Sequence, residues 1–112
     1  MTQSHALIVD DEPDIRELLE LTLRKMDIEV TAAADLGQAR QRLKDHQFHL
    51  CITDMRLPDG NGIDLVGEMQ QNYPDIPVAV LTAHGNMELA IQSLKAGAFD
   101  FVSKPVDLQV LR

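Results

Sequence analysis

Along the chain, short apolar runs alternate with longer stretches in which apolar residues return at every third or fourth position. The run ALIVDD, residues 6–11, is rich in β-branched residues and ends in two aspartates, the pattern of a strand buried on both faces. From Asp14 to Met26 the apolar positions Ile15, Leu18, Leu19, Leu21, Thr22 and Met26 predict an amphipathic helix. Pro13 suits its entry, where a missing N–H costs nothing, and Asp14 and Glu17 lie near the positive end of the helix dipole. IEVTAA is a second strand, and DLGQARQRLKDH a second helix with Leu36, Ala39 and Leu43 on one stripe. FHLCIT, residues 48–53, is a third strand that delivers Asp54 at its C-terminal end.

The alternation continues to the last residue. GIDLVGEMQQNY carries Ile63, Leu65, Val66 and Met69 at helical spacing, and Pro74 and Pro77 bracket the link into a fourth buried strand, PVAVLT, ending in Thr82. MELAIQSLKAG is a helix closed by Gly97, AFDFVSKP a fifth strand stopped by Pro105, and PVDLQVLR the first turns of a fifth helix cut short. Five strands alternating with helices describe repeated βα units, hence an α/β fold: a doubly wound parallel sheet with helices on both faces. With 112 residues, 45% of them hydrophobic, the chain has room for one domain spanning 1–112 and one sizeable core.

Charge narrows the function. Ten Lys and Arg against 18 Asp and Glu leave a formal charge of −8, which argues against binding nucleic acid by neutralising its backbone. A basic partner or a bound cation is the better electrostatic complement. No apolar run approaches the roughly 20 residues that span a bilayer, and the start MTQSHALIVDDE lacks the features of a secretory signal, so no membrane association and a cytoplasmic location are expected. Cys51, in an apolar run, is expected to fill space and to form no disulfide.

Ligands of open α/β sheets bind outside the carboxyl ends of the strands. That edge collects Asp10 and Asp11 as the last residues of strand one, Asp54 after strand three, Thr82 at the end of strand four and Lys104 after strand five. Each has a plain structural alternative: an acid there is often a helix cap, lysine is mostly exposed anyway, and threonine is a strand former. Together they point to chemistry. Three crowded carboxylates repel, an arrangement best tolerated around a cation, and oxygen ligands of this kind suit Mg²⁺. Lys104 and Thr82 supply a point charge and a hydroxyl donor for phosphoryl or carboxylate oxygens. The PDGNG segment reads equally as a turn or a functional loop, with Gly60 and Gly62 serving backbone geometry. Neither GxxxxGK[ST] nor GxGxxG occurs, and His46 and His84 lack a second ligand at zinc spacing.

The stretches LIVDDEPDIRELL, TDMRLPDGNGIDLV and VAVLTAHGNMELAIQSLKAGAFDFVSKP resemble the receiver domain of bacterial two-component response regulators. Within them they are similar to the nitrogen-regulator class of transcriptional activators, which includes regulators of type-four pili. The resemblance implies a flavodoxin-like sheet of order 2-1-3-4-5. It implies that Asp54 is the phosphoacceptor for a cognate sensor histidine kinase, with Asp11 a direct Mg²⁺ ligand, Asp10 acting through water and the Arg56 backbone carbonyl completing the set. Thr82 and Lys104 would bind phosphoryl oxygens, Phe101 would be the switch aromatic, and the Lys104–Pro105 bond would be cis.

Such a domain modifies itself and turns over no external substrate. Its output face would be the fourth helix, fifth strand and fifth helix, which also allows a homodimer, with ATPase and DNA-binding domains following in the full protein. The excess of apolar residues on the fourth helix, Met87, Leu89, Ala90, Ile91 and Leu94, fits an exposed face or a core equally. Two other classes share parts of the pattern. A hydrolase with an aspartyl nucleophile would need a substrate-selecting cap for which 112 residues leave no room, and an FMN-binding flavodoxin would need uncharged phosphate-binding turns that are absent.

Overall fold

The computed structural model describes residues 4–82, 91, 94–95, 97–98 and 100–103, with the backbone alone at 82 and 100–103. In chain order these form β1 (Ser4–Val9), α1 (Pro13–Lys25), β2 (Ile28–Ala33), α2 (Leu36–Asp45), β3 (Leu50–Asp54), α3 (Gly62–Asn72), β4 (Val78–Thr82) and β5 (Asp100–Ser103). The five strands make one parallel sheet in the order β2-β1-β3-β4-β5, as the resemblance implied. A two-residue antiparallel ladder, Arg56–Leu57 against Gly60–Asn61, lies between β3 and α3. The PDGNG segment is thus a tight hairpin running into a helix.

Side chains alternate across the sheet because successive strand residues face opposite ways. Leu7 and Val9 of β1, Cys51 of β3 and Val78 and Val80 of β4 pack with Leu36, Ala39 and Leu43 of α2 and Leu65, Val66 and Met69 of α3. Ala6 and Ile8, Ile52, Ala79 and Leu81 join Val30 and the α1 residues Leu19 and Leu23 on the other face. Both faces are covered, which is why these strands read as unbroken apolar runs.

Some expectations move by a few residues. β1 begins at Ser4 and stops at Val9, so Asp10 and Asp11 follow the strand rather than belong to it. β3 begins at Leu50 and includes Asp54 as its last residue. On α1 the buried residues are Leu19, Thr22 and Leu23, whereas Leu21 and Met26 are 54% and 42% exposed. Leu21 sits two residues from Leu19, about 200° around a 3.6-residue turn, so both cannot face the sheet. Met26 lies past the last helical turn, where Asp27 takes a left-handed φ of 62°.

Near the end of the chain, Ile91, Leu94 and Lys95 are helical, with Ile91 and Leu94 exposed, and the Gly97 N–H donates to the Leu94 carbonyl. The expected fifth helix, the side chains of Thr82 and Phe101, and Lys104 and Pro105 with the bond between them lie outside the described residues.

Candidate functional site

The winding of the sheet reverses between β1 and β3, and the crevice beyond their C-terminal ends is where a doubly wound sheet binds its ligand. After Val9 the chain turns at once. Oδ1 of Asp10 accepts the Glu12 N–H at 2.8 Å, and Nη1 of Arg16, a turn into α1, donates to the Asp10 carbonyl at 2.7 Å. These bonds direct the Asp10 side chain inward and leave Asp11 and Glu12 exposed at the lip. Pro13 then opens α1 at its first position.

Asp54 arrives from the neighbouring strand. Its Oδ1 accepts the Met55 N–H at 2.8 Å, while the same N–H reaches the Leu81 carbonyl of β4 at 3.1 Å. The Gly62 N–H, the first of α3, donates to the Met55 carbonyl at 2.8 Å and closes the hairpin behind Asp54. A Cβ on Gly62 would overlap the Asp54 carbonyl oxygen, so only glycine lets the helix start this close to the strand end.

Carboxylate oxygens of Asp10, Asp11, Glu12 and Asp54 all lie within 4.8 Å of one another. Asp10 is fully buried and Asp54 is 8% exposed, so of the two inner acids only Asp54 presents surface to an incoming group. A pocket of hard oxygen donors at this spacing fits a small divalent cation such as Mg²⁺. Of the expected site residues, Asp10, Asp11 and Asp54 are therefore gathered together, and Arg56 follows Asp54 on the hairpin with its side chain exposed. The Thr82 backbone ends the strand next to β3 and pairs with Ser103, one residue before Lys104.

Two neighbours were not foreseen. Glu12 joins the cluster, and its position directly after Asp10-Asp11 was the available signal. Arg16 gave none, since its role depends on the bend that returns α1 over the end of β1. At the opposite end of the sheet the His5 and His46 rings stand 5.7 Å apart, Nδ1 of His49 accepts the His5 N–H at 3.0 Å, and Phe48 packs on His5. These histidines are tertiary neighbours far from the acidic crevice, and among the described residues they join no group arranged for a metal.

Residues 6–112 match the model of the response regulator receiver domain. The chain belongs to that family. Over 112 residues the receiver domain is 58% identical to the response regulator protein PilR of Pseudomonas aeruginosa, covering 100% of this chain and 25% of that protein. It is 35% identical over 108 residues to the transcriptional regulatory protein GlrR of Escherichia coli K12, covering 96% of this chain and 24% of the relative. The chain thus spans about a quarter of the length of these relatives.

Among solved structures the receiver domain of NtrX from Brucella abortus superposes with a TM-score of 0.89 at 33% identity, covering 95% of this chain and 90% of that one. A response regulator receiver domain protein from Clostridium thermocellum gives 0.87 at 32% identity, covering 96% and 87%. Receiver domains phosphorylate and dephosphorylate themselves rather than turn over an external substrate, and this chain is one of them.

Proposed function

We propose that Asp54 accepts a phosphoryl group from the phosphohistidine of a cognate sensor kinase, with Mg²⁺ held by Asp11, Asp54, the Arg56 carbonyl and, through water, Asp10. The observation that carries this reading is the gathering of four carboxylates at the reversal of the sheet, with Asp54 the less deeply buried of the inner pair. A carboxylate oxygen of Asp54 attacks phosphorus as the P–N bond breaks, and the bond's electron pair leaves on the imidazole nitrogen. The product is an acyl phosphate. In-line transfer of this kind needs positioning and charge neutralisation more than a general base, and a bound divalent cation would supply part of that neutralisation.

Thr82 and Lys104 would take the phosphoryl oxygens from the fourth and fifth strands, a hydroxyl donor and a point charge for a group carrying about two negative charges. Movement of Thr82 toward the new group vacates volume beside β5, and Phe101 rotates into it, because packed cores switch between discrete arrangements. The output face is then the fourth helix, β5 and the fifth helix, in keeping with the exposure of Ile91 and Leu94 at 46% and 39%. That face is also the natural place for a homodimer. We infer a cytoplasmic location and, in the full protein, ATPase and DNA-binding domains besides this one, for which relatives about four times longer leave room. No described helix is long and apolar enough to cross a membrane.

Titration with MgCl₂, followed by amide chemical shifts, tests the cation site. Residues 10–12 and 54–57 should move first; unchanged shifts there up to millimolar metal would remove the cation from the account.

A further inference from the structure

The hairpin that follows Asp54 is fastened to a helix other than the one it leads into. At its tip, Asp59 reaches α2: its Oδ1 accepts the Leu36 N–H at 2.8 Å and its Oδ2 the Gly37 N–H at 3.0 Å. The helix already has a cap of its own. Asp35 accepts the Gln38 N–H at 2.7 Å, and Oε1 of Gln38 returns to accept the N–H of Ala34, the residue before the cap, at 3.0 Å. Asp59 takes the next two amides of the first turn, so a single carboxylate joins the loop after β2 to the loop after β3. Those backbone donors, with Arg40 nearby, hold the Asp59 carboxyl below the usual carboxylate range.

The contact is close on the backbone side as well. Gly60 adopts a φ of +154°, and a Cβ there would come within 2.6 Å of Cδ1 of the buried Leu36. The segment from Met55 to Gly62 is therefore held by β4 through the Met55 N–H, by α3 through the Gly62 N–H, by the core through the buried Met55 and Leu57 side chains, and by α2 through Asp59. Only the last attachment is made by an exposed side chain, removable without disturbing the core.

We propose that Asp59 is a positioning residue for the acidic crevice: by anchoring the hairpin to α2 it fixes where the Arg56 backbone stands beside Asp54, and so sets the affinity of the crevice for its cation. This rests on the reading of the Arg56 carbonyl as a ligand. Partners that orient metal ligands are worth about 10- to 100-fold in affinity, and Asp59 acts through a short backbone segment, at the lower end of that range.

The test measures the Mg²⁺ dissociation constant from amide shifts in wild type, Asp59→Ala, Asp59→Asn and Glu68→Ala. Glu68 pairs bidentately with Arg40 at 2.9 and 2.8 Å, an exposed tie between α2 and α3, so its removal loosens the same helices without touching the hairpin. Asp59→Ala should weaken Mg²⁺ binding by about tenfold and speed hydrogen exchange at Leu36 and Gly37. Asp59→Asn, which keeps an acceptor oxygen, should fall between, and Glu68→Ala should leave the affinity unchanged. An unchanged affinity in Asp59→Ala, unchanged exchange at the two amides, or an equal loss in Glu68→Ala would each overturn the proposal while wild-type binding keeps the underlying reading intact. Absence of Mg²⁺-dependent shifts in the wild type would instead overturn the cation reading, and this proposal with it.

Discussion

Two glycines of α3 should respond in opposite directions to the same added methyl group. Gly62 stands at the first position of the helix against the end of β3, and a Cβ there would overlap the Asp54 carbonyl oxygen while lying 3.0 Å from the Asp54 carbonyl carbon and 3.2 Å from Oγ1 of Thr53. The first two are backbone in the middle strand of the sheet, and Thr53 is fully buried, so none can step aside cheaply. Overpacking of this kind costs about 1–3 kcal/mol. Pushing the helix away also strains the hydrogen bond from Gly62 to Met55, worth about 1 kcal/mol, against a gain in helix propensity of up to about 1 kcal/mol. Gly62→Ala should therefore lose about 1–3 kcal/mol, a sizeable part of the ~5–15 kcal/mol that holds a domain together. Gly67, one and a half turns further on, has nothing within 4 Å of an added Cβ, and Gly67→Ala should stabilise by about 0.5–1 kcal/mol. Urea unfolding of the two variants and wild type, with m-values compared, measures both. A Gly62→Ala protein as stable as wild type, or a Gly67→Ala protein less stable, would refute the steric account of how α3 meets Asp54.

The Cys51 thiol, pushed up to about 12 by burial, should resist iodoacetamide in the native protein and react once urea unfolds it; native labelling at the unfolded rate would contradict its place in the core. Thr82→Ala should still allow phosphorylation of Asp54 but confine the resulting amide shifts to the neighbourhood of that residue, whereas wild type should shift throughout residues 84–105. A hydroxyl bond to a charged oxygen, at about 1.5–3 kcal/mol, biases a two-state switch roughly ten- to hundredfold, and equal shifts in both proteins would exclude a threonine-coupled switch.

The sheet was legible because its strands are covered on both faces: ALIV, CI and VAVL are apolar throughout, and such runs between helical stretches leave few other folds. The acids of the crevice were legible for a related reason. A carboxylate directly after a buried strand must emerge at the strand's end, so Asp10, Asp11 and Asp54 could be assigned to one rim before any contact was known. What stayed hidden depends on tertiary distance. Leu21 satisfies a loose three-to-four spacing yet points away from the sheet, because helix angle rather than spacing count decides the face. Asp59 reads as an ordinary turn residue; its bonds to Leu36 and Gly37 span 23 and 22 positions, and they exist only because α2 begins at the edge where the hairpin turns. The grouping of His5 with His46 and His49 is likewise a product of strand order, beyond the reach of local ligand spacing.

The central claim is that the phosphoryl group is carried by Asp54 and by no other residue. Wild-type protein and Asp54→Asn should be incubated with acetyl phosphate and Mg²⁺ and weighed intact by mass spectrometry. Asparagine keeps the shape of the side chain and removes the nucleophilic oxygen. Wild type should gain a single phosphoryl group, stable to acid and lost in base, and Asp54→Asn should gain none. Labelling of Asp54→Asn at the wild-type rate would contradict the account and move the chemistry to another side chain.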